Sequence, residues 1–307
     1  MAYAGALMEL GERKLLDSVE RVAGTSAGAI AATLYSVGYQ PKEILDLITD
    51  LKIKSFADGK WIFIGGTRRL VRNFGWYRGD KFHKWIGELI KAKTGKETIT
   101  FQELYFLSQQ NLKFKQLYLT GTNLSEQKTE ILSHETYPSM EVRTAVRISM
   151  SIPFYFQAVE IDKAGKVCSK KDQGKGVVMV DGGIMANYPI HIFDYSKYMD
   201  PKGDSTSVVN YQTLGFRLDT DEQIKCDQER TGLSPIEIRK MKDFTQAFYN
   251  IVIENLNRYN LKKEDWERTI SISTGNIGPK IRRLSIQDKN TLIGNGRKGV
   301  HVYFDKY

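Results

Sequence analysis

The sequence has 307 residues, 41% hydrophobic and 26% charged, which is ordinary for a globular chain and fits one large domain over residues 1–307. No window nears 18 uninterrupted apolar residues, so nothing here is expected to span a bilayer, and two cysteines, Cys168 and Cys226, give neither a disulfide framework nor a metal spacing. The net charge of +9 implies attraction to anionic surfaces, membrane or nucleic acid, but the basic residues are spread along the chain and charge alone selects neither.

In chain order, residues 2–14 read as a short helix whose Ala2, Ala4, Gly5 and Ala6 allow close packing. The run Met1–Leu10 lacks a basic lead and is too short in its apolar part for a signal peptide, so a cytoplasmic or peripheral-membrane location is expected, with secretion without a cleavable signal as the alternative. Residues 17–24 form a strand that feeds Gly24-Thr25-Ser26-Ala27-Gly28, and an apolar, small-residue helix follows. Pro41 opens a helix through about Lys52, with Ile44, Leu45, Ile48 and Leu51 on one stripe. Residues 53–77 are irregular and rich in aromatics (Trp61, Phe63, Phe74, Trp76, Tyr77), a candidate cap with half-buried surface packing as the alternative. An amphipathic helix spans 79–95 and ends on Gly95, and Thr100-Phe101-Gln102-Glu103 is a capping box for another.

Residues 113–120 and 129–132 read as strands, and 140–150 as a helix carrying Arg143 and Arg147, stopped at Ser151-Ile152-Pro153. Strands at 157–161 and 177–180 flank a polar hairpin with Lys166, Lys170, Lys171 and Lys175, read as a solvated loop rather than a binding patch. Asp181-Gly182-Gly183 closes the second of these strands. Further strand is expected over 206–218, a long helix from Pro235 to about Tyr259, a strand at 269–273 returning to the sheet, and a helix from Asp288 to about His301. Strands alternating with helices predict an α/β fold in three layers, with a mainly parallel sheet and helices on both faces.

Gly24-Thr25-Ser26-Ala27-Gly28 has the form of a nucleophile elbow. Glycines on either side of the serine remove side chains where strand and helix crowd, and the turn sets the Ser26 hydroxyl beside a helix N-terminus, where unpaired N–H groups favour developing negative charge. The plainer alternative is a small-residue turn with Ser26 as an N-cap. Serine needs a proton acceptor. Of the four histidines (His83, His134, His191, His301), none sits in a recognisable turn after a strand, although His191 gives the chain order Ser, Asp, His. Asp181 ends an apolar strand, where partial loss of water raises a carboxylate's proton affinity and suits it as a base. Its alternative is a simple Asp-Gly-Gly turn.

Taken together, Gly24–Gly28, then Arg147-Ile148-Ser149-Met150-Ser151-Ile152-Pro153-Phe154, then Asp181-Gly182-Gly183 with Asn187-Tyr188-Pro189, resemble the patatin-like phospholipases. The resemblance runs from residue 2 to about 218, with 219–307 as a helical and strand completion. It implies a Ser–Asp dyad without histidine: Ser26 attacks an ester carbonyl and Asp181 takes its proton, then activates the deacylating water. Gly24, Ala27 and Gly28 would form the elbow and oxyanion side, Gly182 and Gly183 the base motif, and Arg147–Phe154 would shape an acyl pocket. It further implies phospholipid or lysophospholipid as substrate and no metal or cofactor; the basic charge suits peripheral contact with an anionic membrane, and without an aromatic-basic reader motif no nucleic-acid partner is expected. The family's glycine-rich oxyanion loop lies ahead of the helix that here begins at Ala2, which leaves Ala27 N–H as the donor the motifs supply. The expectation is a shortened form of a longer protein, the alternative a member that keeps the shape without efficient catalysis. Two other functions share the residues: a weakly catalytic lipid- or protein-binding module, and an esterase or thioesterase acting on soluble acyl groups.

Overall fold

The computed structural model describes residues 1–50, 56, 58, 70, 74–169, 171–172, 174–241, 243–244, 247–248, 251, 254, 258, 261–275, 277 and 284–306. Its first half holds α1 (Ala2–Glu12), β1 (Arg21–Gly24), α2 (Ala27–Ser36), α3 (Pro41–Asp50), β2 (Gly75–Tyr77), α4 (Asp80–Thr94), α5 (Phe101–Gln110), β3 (Gln116–Asn123) and β4 (Lys128–Leu132). Then come α6 (Val142–Ser149), β5 (Phe154–Phe156), β6 (Val159–Ile161), β7 (Val177–Asp181) and α7 (Gly183–Ala186). The remainder holds β8 (Gly215–Asp219), α8 (Asp221–Glu229), α9 (Lys263–Glu267), β9 (Thr269–Ser273) and α10 (Ile286–Phe304). These elements gather into two compact units, one built from Lys14–Asn187, the other from Met1–Arg13 with the described residues from Tyr188 onward.

The first unit is built on β3. β1 pairs with it in parallel, from Arg21 opposite Gln116 to Gly24 opposite Leu119. β7 pairs with it antiparallel, Asp181 opposite Gly121 and Met179 opposite Asn123. β4 pairs antiparallel with residues 119–123 of β3, overlapping both of these stretches, and so occupies the other edge. β1 and β7 therefore lie end to end along one edge of β3, and their C-termini face each other across Thr120. β6 continues the sheet beyond β7, antiparallel.

The α/β class follows the sequence pattern, but the sheet is mixed where strand–helix alternation predicts mainly parallel pairing. The reason is the kind of connection: β3 and β4 are joined by four residues with Gln127 at φ 54°, and β6 and β7 by the polar hairpin, whose described residues hold no helix to carry the chain back for parallel pairing. Lys170 of that hairpin lies outside the described residues, as do Trp61 and Phe63 of the candidate cap. Gly75–Tyr77 from the same stretch is a strand, paired in parallel with β5.

α2 and α6 pack on the strands and on one another. Leu34, Leu119, Val146, Ile148 and Met179 are fully buried among these elements. The Thr100 capping box forms as expected, with Thr100 Oγ1 accepting from Glu103 N–H and Glu103 accepting from Thr100 N–H.

In the second unit β8 and β9 pair in parallel as a two-stranded sheet of their own, so Thr269–Ser273 does not return to the main sheet. α10 packs on β9 and on α1, whose small residues allow the approach: a side chain at Gly5 would meet Ile293 O at 2.2 Å. Helix does not start at Pro235. Residues 231–239 hold none, and the described residues from 241 to 258 are helical. The Asp243 carboxylate accepts the N–H groups of Arg239 and Lys240, which places the start at Met241, past the expected opening at Pro235. Among the described residues, no helix is long and apolar enough to cross a membrane.

Candidate active site

The junction of β1 and α2 is tight. A side chain at Gly24 would sit 2.5 Å from Gly28 O and 2.8 Å from Ala29 N, so only glycine lets the strand run this close to the helix's first turn. Ser26, at the N-cap of α2, has φ 52° and ψ −120°, a backbone state that costs a residue with a side chain about 1–3 kcal/mol. Gly28 N–H closes back on Thr25 O at 2.8 Å and Ala29 N–H on Ser26 O at 2.9 Å. Ala27 N–H has no acceptor among the described residues, and it follows the serine at the positive end of the helix dipole.

The strand ends that face each other across Thr120 bring two side chains 155 positions apart in sequence into contact. Ser26 Oγ donates to Asp181 Oδ2 at 2.7 Å. Asp181 is 4% exposed. Its Oδ1 accepts Gly183 N–H at 2.7 Å, its carbonyl accepts Thr122 Oγ1–H at 2.9 Å, and its N–H donates to Ser151 O at 3.0 Å. Burial pushes its pKa from 3.8 up to about 6, while the Ser26 hydroxyl and Gly183 N–H hold it from going higher. Gly182 is required by closeness: a side chain there would meet Thr120 Oγ1 at 2.1 Å. Thr120 Oγ1 in turn lies 2.7 Å from Thr25 Oγ1, and Thr25 Oγ1 donates to Ala186 O at 2.9 Å, so the elbow and the turn after the aspartate are tied together at the meeting point.

No histidine is among the hydrogen-bond partners of Ser26 in the described residues. His83 Nε2 lies 3.3 Å from Thr144 Oγ1, and His134 stacks on Tyr105 at 4.1 Å. In the second unit His301 faces Arg13 and Asp305, and His191 lies between Asp194 and Asp265. The ligand atoms of His191, Asp194 and Asp265 fall within 4.8 Å of one another, the spacing of a metal site. The Arg268 guanidinium donates to both carboxylates, however, so a cation already offsets part of their charge.

The second motif, Arg147–Phe154, also shapes the site. Ser26 N–H donates to Ser149 Oγ at 3.0 Å, and Ser26 Oγ lies 3.8 Å from Met150 Sδ. Arg147 is buried and donates to Ser151 Oγ, to Arg78 O at 2.6 Å and to Gln157 O at 2.9 Å. Burial lowers its pKa to about 10, partly offset by Asp58 and Asp80, so it stays charged near neutrality. The sequence expectation gave Arg147–Phe154 a role in shaping a pocket. In the structure its polar atoms hold the backbones of Ser26 and Asp181. The hydroxyls of Ser149 and Ser151 within the motif were the available signal.

A sequence model described as patatin-like phospholipase matches residues 1–194. The uncharacterised protein YqhO of Bacillus subtilis is 32% identical over 198 residues, covering 63% of this chain and 62% of that one. Probable lipid hydrolase 463L of Invertebrate iridescent virus 6 is 24% identical over 251 residues, covering 81% and 78%. The crystal structure of VipD from Legionella pneumophila superimposes with a TM-score of 0.63 at 14% identity, covering 99% of this chain and 64% of that one, a likeness of fold. This chain thus spans less than two thirds of the length of the Bacillus and Legionella proteins.

Proposed function

Because this chain belongs to the patatin-like phospholipase family, we propose that it hydrolyses phospholipid or lysophospholipid esters through an acyl-enzyme on Ser26, with Asp181 as the base. The observation that carries the reading is the 2.7 Å hydrogen bond from Ser26 Oγ to Asp181 Oδ2 at a strained turn. As Ser26 Oγ bonds to the ester carbonyl carbon, its proton passes to Asp181. The carbonyl oxygen gathers negative charge beside Ala27 N–H and the N-terminus of α2. Collapse expels the alcohol, which takes the proton from Asp181 and leaves the acyl group on Ser26. Water then gives a proton to Asp181 and attacks the acyl carbon, and the fatty acid departs as Ser26 regains its hydrogen.

A lipid substrate is supported by the family and by the description of the iridescent virus relative as a probable lipid hydrolase. The net charge of +9 supports collection on anionic membrane surfaces. The test is fatty acid release from mixed phospholipid vesicles. Ser26→Ala is expected to lower the rate by more than about a thousandfold, the scale of losing a nucleophile. Equal rates in variant and parent remove Ser26 from the reaction. Labelling by a fluorophosphonate at Ser26 alone separates an enzyme from a binding module, which would not be labelled.

A further inference from the structure

We infer that the three residues Ser149–Ser151, at the end of α6, set the spacing of Ser26 and Asp181, with Ser149 as the positioning residue for the nucleophile. The inference rests on the Ser26–Asp181 reading above and adds what holds that pair in place.

The two reacting side chains come from strands that do not pair with each other, β1 and β7. Each is nevertheless fastened at its backbone to the same short stretch. Ser149 Oγ accepts Ser26 N–H at 3.0 Å, and Ser151 O accepts Asp181 N–H at 3.0 Å. The stretch is itself pinned. Arg147 reaches from α6 to the Ser151 hydroxyl and to two carbonyls, Arg78 O and Gln157 O, and Ser149 and Ser151 are wholly buried. Ser26 needs such a hold, because its positive φ is a state that a serine leaves when nothing fixes it. An alanine at 149 removes the acceptor for Ser26 N–H, lets the turn relax, and lengthens the bond from Ser26 Oγ to Asp181.

That lengthening has a signature beyond rate. The Ser26 hydroxyl is one of the two groups that hold the Asp181 pKa down against burial. Among the described residues no charged side chain takes part. Arg147 and Arg143 of α6 are engaged with carbonyls and with Glu97 and Glu141, and Glu160 of β6 accepts from Gly174 and Gly176. The segments 116–123 of β3, 27–36 of α2 and 183–186 of α7 carry no charged residue. Loosening Ser26 therefore moves the acid limb of the pH profile upward.

The experiment measures kcat and KM on p-nitrophenyl butyrate and the rate of fluorophosphonate labelling between pH 5 and 9, with a thermal melt for each variant. Ser149→Ala is expected to lower kcat and labelling about tenfold with KM unchanged, the scale of one lost hydrogen bond. Its acid limb moves to higher pH, and Ser149→Thr, which keeps the hydroxyl, restores both. If Ser149→Ala does not fold, Ser149→Cys keeps the size with a poorer acceptor and is expected to fall between the parent and a tenfold loss. A folded Ser149→Ala with parental kcat and pH limb overturns the inference while leaving the dyad standing. A parent that is not labelled at Ser26 overturns both.

Discussion

Asp181 sits where water barely reaches it, and burial holds its pKa near 6, about two units above an exposed aspartate. Two consequences follow for the proposed reaction and for stability. As a base it must be ionised, so kcat/KM is expected to rise through about pH 6 and then level off, as a pH–rate profile would show. The same shift means that folding takes up a proton at this site between about pH 4 and 6. Its contribution to stability is present below about pH 4 and is lost as pH rises through about 6. Asp181→Asn, which removes the buried charge, is therefore expected to abolish turnover yet raise unfolding stability at pH 8 by about 2–3 kcal/mol. The gain should vanish at pH 4. Urea melts at the two pH values check the sign, and a variant less stable at pH 8 than at pH 4, relative to the parent, contradicts it.

At the junction of β1 and α2 the backbone leaves no room for a side chain at Gly24. Because a methyl group at position 24 would press on the backbone of Gly28 and Ala29, Gly24→Ala has to push strand and helix apart. Overpacking of this kind costs about 1–3 kcal/mol in stability. The displacement of Ser26 is expected to cost about a hundredfold in ester hydrolysis, so activity falls much further than the melt alone explains. This junction was legible in the sequence because its constraints are local: small residues two positions either side of a serine, between a β-branched run and a helix. Asp181 stood at the polar end of an apolar strand, a pattern a simple Asp-Gly-Gly turn fits as well, and the three motifs in order were what singled it out. The direction of β7 was not legible, since the residues of a buried strand read the same whichever way it pairs with its neighbour. The Ser149 hydroxyl stood in the motif as a signal, but its partner 123 positions away did not, and the Ser151 carbonyl that holds Asp181 left no mark on residue type. The start of the helix after Lys240 escaped too: Pro235 is a familiar opening residue, but the Asp243 side chain decided the matter five residues after the expected first turn.

Over the whole molecule the charge is diffuse, 45 basic against 36 acidic residues without a dense cluster. Attraction of this kind acts through the summed field and is screened by salt. Association with vesicles containing anionic lipid is therefore expected to weaken at least about tenfold between roughly 0.05 and 0.5 M salt. Vesicles of neutral lipid should bind weakly at both concentrations. Sedimentation with the two vesicle types measures it, and salt-independent binding would assign the contact to apolar side chains instead.

Two strands that stop against neighbouring residues of a third make the gap between nucleophile and base a matter of register. Loop lengths elsewhere are then free to drift: the turn from β6 to β7 can grow or shrink without moving either end. A slip of β3 by a single residue is another matter, for it would turn Thr120 to the opposite face and part the two termini that now meet beside it. Among relatives of very different length, the spacing between motifs should accordingly say little about whether the reaction survives, and the residue standing opposite that gap should say a great deal.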